Sequence, residues 1–205
     1  MNFATAARTA LTVSAIAAAF LSAVLPTQAT TAHDKKTITL GDLDPKVDAK
    51  SVGAPFDPCQ VGWESMPAPV RSATNAKPKL RSPGKDDVFT VACRYDNGDT
   101  AVVSTGQGAT PNQGKNFIVL VAWAKPGQMA TSQSDHAGSQ PAQFGPKNGL
   151  LKPTTNNASK EAACTAIMPL TNGAAAVGIT NGRFPEVDTC SIATSVATSI
   201  AEKTP

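Results

Sequence analysis

Hydrophobic and polar positions alternate through the middle of the chain. In "DVFTVACRY", residues 87–95, Phe89, Val91, Cys93 and Tyr95 share one side, the period of a half-buried strand. "DNGD" follows, and Asn-Gly tolerates the positive φ angles of a tight hairpin turn, which predicts a partner strand over residues 100–105. "NFIVLVAW", residues 116–123, is apolar on both sides, as in a central strand covered on two faces. Further on, "AACTAIMPL" and "AAAVGIT" flank Asn172 and Gly173 and predict a second hairpin, with Cys164 in its first strand. The period then changes: in "TCSIATSVATSIAEK" Ile192, Val196 and Ile200 recur at spacing four and form one helical stripe, with Asp188 placed as N-cap.

Between these patterned stretches the chain is polar. Residues 30–55 read as an extended, partly disordered lead-in with one strand-like patch at 37–40. Asp57 is a suitable N-cap and Pro58 suits the first helical position, so a short helix containing Cys59 is expected before Pro67 and Pro69 end it. Residues 71–86 have no periodicity. Residues 125–160 form a long Gly/Pro/Ser/Gln-rich connection, the kind of loop that is either functional or loosely held. The resulting expectation is an α+β domain: a mostly antiparallel sheet of about five strands with two helices disulfide-tied to it, spanning residues 56–205.

The N-terminus changes the picture of where this domain works. Arg8, an Ala/Leu/Val-rich run over residues 10–25, Pro26 and then small residues follow the order of an export signal, assigned to residues 1–29 with cleavage after Ala29 or Ala32. The apolar run falls short of the roughly 20 residues a spanning helix needs, so no stable membrane span is expected after cleavage. No cysteine precedes Cys59, and the mature chain is expected to carry no lipid anchor. Only 16% of residues are charged, and the net charge of +3 is scattered without a basic stripe, which argues against nucleic acid as a partner.

Export also decides how the cysteines are read. Cys59, Cys93, Cys164 and Cys190 form an even set without a C-x-x-C spacing, which favours disulfides over redox chemistry. His33 and His136 lie far from any paired-ligand spacing, so neither a metal nor another cofactor is expected. Each half of the chain offers one cysteine on a strand and one just inside an Asp-capped helix. Cys59 with Cys93 and Cys164 with Cys190 is the pairing that matches this arrangement, against a crossed alternative such as Cys93 with Cys164.

"FDPC" after a polar lead-in, "CRYDNG", "ACTAIM" and a closing "DTCSIATSVATSIAEKTP" together resemble the actinobacterial exported and lipoprotein family called domain of unknown function 3558, over about residues 55–204. The resemblance implies a small α+β domain at the cell envelope, with no shared activity established for its members and no assigned catalytic residues. Many members are lipid-anchored; this chain lacks the cysteine for it.

Candidate chemistry adds little. "SDH", residues 134–136, holds the residue types of a hydrolase triad, but such triads assemble from separated segments. "GQGATPNQGK", residues 106–115, lacks the spacing of a phosphate-binding loop, and "NAS", residues 157–159, fits a glycosylation sequon. Asp57 and Asp188 read as caps. Trp63, at the edge of a short helix, and Phe144, in the long loop, are the candidate ligand contacts. The chain thus reads as a secreted or envelope-associated, non-catalytic module that binds an envelope component, an exported protein or a small ligand. The alternative is an envelope hydrolase or transferase whose carboxylates meet only in the fold.

Overall fold

A computed structural model describes residues 48–81, 83–98 and 115–205. Seven strands form one antiparallel sheet: β1 (Lys79–Arg81), β2 (Val91–Asp96), β3 (Phe117–Ala124), β4 (Gln140–Phe144), β5 (Lys147–Thr155), β6 (Ala162–Leu170) and β7 (Gly173–Asn181). Their order across the sheet is β1-β2-β3-β7-β6-β5-β4. Among the described residues there is one α-helix, α1 (Thr189–Lys203), which follows the last strand. This corrects the expected five strands and two helices: the described chain is mostly β.

The missing helix has a local cause. Asp57 caps, Pro58 occupies the first position, and a turn forms, but it is a single 3₁₀ turn, Pro58–Gln60. Gly62 then takes φ 80°, a left-handed conformation that no right-handed helix can include, and Pro67 leads into another short turn. The result is an arm of three 3₁₀ turns over residues 58–70.

The extra strands lie at the sheet's margins. β4 and β5 form a hairpin inside the stretch expected to be a loop, joined by Gly145 and Pro146 with Phe144 opposite Lys147. They carry polar residues because β4 is an edge strand and one side of the hairpin meets solvent, so the apolar signal is diluted. The β4 margin also carries proline, Pro141 in the edge strand and Pro153 in the part of β5 that runs past β4, and neither can donate to a further strand. β1, three exposed residues, pairs with β2 at Leu80 opposite Cys93. The strand expected over residues 100–105 lies outside the described residues, as do the patch at 37–40 and the signal segment. β2 has β1 and β3 as its neighbours.

One face of the sheet carries the main core. Cys93, Tyr95, Val119, Val121, Cys164, Ala166, Val177 and Ile179 all point to it. α1 lies across β6, β7, β5 and β4 on this face and buries Ile192, Val196 and Ile200 together with Ala193, Ala197 and Ala201. Full burial of each Ile or Val contributes about 1.5–3 kcal/mol. The 3₁₀ arm covers the remainder with Trp63, Met66 and Val70, and Ser195 Oγ of α1 donates to Ser65 O at 2.8 Å where the two coverings meet.

Residues 48–56 belong to the folded structure: Ala49 is buried, and Val52 and Ala54 pack on Trp123. On the opposite face, Met129 packs against Phe89, Ala92 and Ala122, so the connection from β3 to β4 runs over that side.

Candidate functional site

Both disulfides form, Cys59–Cys93 and Cys164–Cys190, with Cα–Cα distances of 5.1 and 5.2 Å. Each joins the first turn of a helical segment to a strand. Asp57 Oδ1 accepts from Cys59 N at 2.8 Å, and Asp188 Oδ2 accepts from Ser191 N at 2.6 Å, so both aspartates act as N-caps.

Trp63 and Phe144, read from the sequence as ligand contacts, are both core residues. Trp63 is 7% exposed, its indole N–H donates to Ala76 O at 2.8 Å, and its ring meets the Tyr95 ring edge-on at 5.5 Å. Phe144 is fully buried beneath α1. Their sequence neighbours are prolines and glycines, which made them look peripheral; tertiary packing decides otherwise.

The Ser134-Asp135-His136 triplet is a self-bonded turn. His136 Nε2 bonds Ala130 O at 2.8 Å, Ser134 Oγ bonds Ser132 Oγ at 2.7 Å, and Asp135 accepts from Ser132 Oγ. No relay from Asp through His to Ser exists there. Residues 106–114 lie outside the described residues. Among the described residues no three or more His, Cys, Asp or Glu side chains gather as metal ligands would.

A recess of mixed polar and apolar lining is found elsewhere, at the end of the sheet where β7 finishes and β6 begins. A cleft of about 440 Å³ lies between the β5–β6 turn, the β7–α1 connection and the first turn of α1. Its first wall is the turn from Asn156 to Glu161. The Asn156 side chain locks it, Oδ1 accepting from Ala158 N and Ser159 N at 3.0 Å each, while Lys160 N donates to Asn156 O at 2.8 Å. This closure holds Lys160 at φ 60°, in the left-handed region that costs a side-chain-bearing residue about 1–2 kcal/mol.

Glu161 is 6% exposed, and its carboxylate accepts from Asn116 Nδ2 at 2.8 Å and Asn116 N at 3.2 Å. The approach of Gly182 makes this burial feasible, since a Cβ there would stand 2.2 Å from Glu161 Oε1.

The second wall is organised by Asn181, itself 3% exposed. Its Nδ2 donates to Phe184 O and Val187 O at 2.7 and 2.9 Å, and its Oδ1 accepts from Phe184 N at 2.9 Å. The Phe184 ring meets Phe117 edge-on at 5.2 Å, anchoring the connection to the core. Asp188 and Thr189 complete the wall.

Two carboxylates therefore line one cleft, Glu161 and Asp188, each already held by a structural donor. Ser159 on the first wall is 7% exposed, and its hydroxyl is buried without a hydrogen-bond partner. The sequence marked no ligand site here: it offered only the N-A-S sequon at residues 157–159, and the burial of Glu161 depends on Asn116, far away in the chain.

No protein-family model matches the chain, and searches of curated proteins and of solved structures likewise find no match. The described fold is thus defined by its own geometry, a seven-stranded antiparallel sheet stapled twice and covered by one helix. Among the described residues no helix is long and apolar enough to cross a membrane.

Proposed function

We propose that this chain is an exported, non-catalytic binding module of the cell envelope. Its two disulfides fit an oxidising compartment. The signal-like N-terminus and the resemblance to domain of unknown function 3558 support the same address. The observation that carries the binding role is the cleft: a preformed recess of mixed polar and apolar lining on a covalently braced frame, whose two carboxylates are engaged in holding the fold. Binding sites of this kind favour pre-formed concavities with a few placed polar groups. The partner is an envelope component, another exported protein or a small ligand.

Proximity cross-linking in the native envelope tests this, comparing the wild-type chain with Ala162→Trp. Ala162 is exposed at the start of β6 and lines the cleft, so the indole fills the recess without entering the core. The expected result is a defined partner set that the substitution removes. An unchanged set would defeat the assignment of binding to the cleft. The competing reading, a hydrolase or transferase, draws on Glu161 and Asp188 sharing one recess. It gains if the folded wild type releases product from envelope extract and folded Glu161→Gln does not.

A further inference from the structure

We propose that Asn172 is a site of self-modification by water: its side-chain amide is lost as ammonia, and the change unpins residues 48–54 from the sheet. The inference is independent of what the cleft binds. Four Asn-Gly pairs occur in the chain, at residues 97–98, 148–149, 172–173 and 181–182. In such a pair the glycine nitrogen, unshielded by a Cβ, can close on the carboxamide carbon of the preceding asparagine. By sequence the four are equivalent. The fold separates them.

Three of the pairs are protected. Asn181 is 3% exposed with both side-chain polar atoms bonded, and Gly182 N donates to Asn116 O at 2.8 Å. Gly98 N donates to Asp96 Oδ1 at 3.0 Å, and a carboxylate there opposes loss of the N–H proton. Gly149 is wedged inside β5, where a Cβ would stand 2.3 Å from Ile167 O, so the backbone cannot swing to bring Asn148 onto it. Asn172 differs. It is exposed at the turn between β6 and β7, just outside the terminal pair of Leu170 with Gly173, where a ladder opens most readily. Its own carbonyl belongs to the peptide whose nitrogen must react, and Asn172 O accepts from Trp123 Nε1 at 2.9 Å. Negative charge that develops on this peptide as the Gly173 proton leaves is shared with that oxygen, and the indole N–H stabilises it.

In the step itself hydroxide takes the Gly173 N–H proton and the nitrogen attacks Asn172 Cγ. The N–Cγ bond forms, the Cγ–Nδ2 bond breaks, and ammonia leaves with a proton from water. Water then opens the cyclic imide at either carbonyl, giving aspartate or, with the backbone rerouted through the side chain, isoaspartate. The departing amide is also the pin: Asn172 Nδ2 donates to Gly53 O at 2.8 Å. Either product sets an acceptor-only carboxylate opposite that carbonyl oxygen, where a donor stood. Isoaspartate also lengthens the backbone beside Gly173, which already lies so close to Ala124 O that a Cβ would stand 2.0 Å from it. The segment is then held by Ala49, Val52 and Ala54 alone, in their cluster with Val91 and Trp123. Because ammonia is lost, the change is one-way.

Ageing the oxidised chain in warm neutral buffer, with peptide mapping of all four asparagines by mass spectrometry, tests the site; the reduced chain in denaturant supplies the rates that sequence alone sets. Folding is expected to slow conversion of Asn97, Asn148 and Asn181 at least about tenfold, and that of Asn172 by less than about threefold. Asn172 slowed as much as the other three would overturn the site. Hydrogen exchange then tests the consequence in Asn172→Asp, which carries the aspartate product from the start. The bonded amides of Ser51, Gly53 and Ala54 are expected to exchange about fivefold faster than in the fresh wild type, the worth of one hydrogen bond, while β3 and β7 keep their protection. Aged wild type should match or exceed that gain. Unchanged exchange of the segment in both Asn172→Asp and aged protein would overturn the unpinning.

Discussion

The two halves of this domain begin from the same local device and end differently. "DPC" at residues 57–59 and "DTC" at 188–190 each set a capping aspartate two residues before a cysteine bridged to a strand. After Asp188 the chain continues for fifteen residues as α1; after Asp57 it makes one 3₁₀ turn. Cap and bridge are nearly alike, so they do not decide helix length. What differs is downstream: an uninterrupted stripe of Ile192, Val196 and Ile200 in one case, Gly62 and Pro67 in the other. A cap starts a helix and a buried stripe sustains it. The arm therefore lacks a repeating hydrogen-bond ladder of its own, and its attachment rests on the Cys59–Cys93 bridge, on Trp63, Met66 and Val70, and on Tyr95.

The sharpest test of this contrast removes each bridge in turn as a double Cys→Ser variant. The sequence separations are 34 and 26, so loop-closure entropy alone predicts similar losses, each about 3–4 kcal/mol. Denaturant unfolding should return near-equal values. Native-state hydrogen exchange should not. Without Cys59–Cys93 the amides of residues 58–70 should exchange by local opening while α1 stays protected. Without Cys164–Cys190 the arm should stay protected, with only the first turn of α1 fraying, because its apolar stripe still holds the rest. Equal loss of protection in arm and helix from either variant would refute the asymmetry.

Next in size is Tyr95, which fastens the arm from below. Its hydroxyl donates to Pro58 O at 2.8 Å and accepts from Gly62 N at 3.2 Å. Tyr95→Phe leaves both backbone groups without that partner, with an expected cost of about 1–3 kcal/mol. Burial, followed by the charges of Asp57 and Glu64, pushes the phenol above its ordinary value of 10.0, against the lowering effect of backbone hydrogen bonds. The folded chain then keeps the proton to higher pH than the unfolded chain. The stabilisation is fully present below about pH 10 and is lost as pH rises through the folded value. Tyr95 is the sole tyrosine, so phenolate absorbance reports it alone. Its titration should be displaced to high pH in the native protein and return to normal in denaturant. A native midpoint at or below 10 would remove this account.

The same logic explains which parts of the molecule were legible in advance. β2, β3, β6 and β7 sit in the middle of the sheet, where both neighbours exclude water, and their apolar patterns are correspondingly dense. α1 announced itself through Asp188 and its stripe. β4 and β5 were read as loop because Gln140, Gln143, Lys152 and Thr154 meet solvent at the margin, where a strand needs few apolar residues. The cysteine pairing was within reach because it follows from which elements adjoin. The cleft was not, since it arises where Asn116, Glu161 and Gly182 converge from three separate segments. Trp63 and Phe144 looked peripheral in the sequence yet are buried in the core for a related reason: composition around a residue reports its local conformation, not what folds over it.

The smallest expected difference, and the most direct probe of the opening contrast, is between the two caps. Asp188→Ala removes an acceptor from the end of a fifteen-residue α-helix, where several N–H groups and the positive end of the macrodipole need compensation. Asp57→Ala removes one from a single 3₁₀ turn, where Pro58 has no N–H to satisfy. Both should destabilise by about 0.5–2 kcal/mol, with Asp188→Ala the larger. Asp188→Asn keeps an oxygen toward Ser191 N and loses only the charge, so it should recover most of the Asp188→Ala loss, leaving about 0.3–1 kcal/mol that shrinks in salt. Chemical denaturation of the oxidised variants at low and high salt measures all three. If Asp57→Ala cost more than Asp188→Ala, the capping carboxylate would matter more to the arm than to the helix, and the division of labour between cap and apolar stripe would have to be reversed.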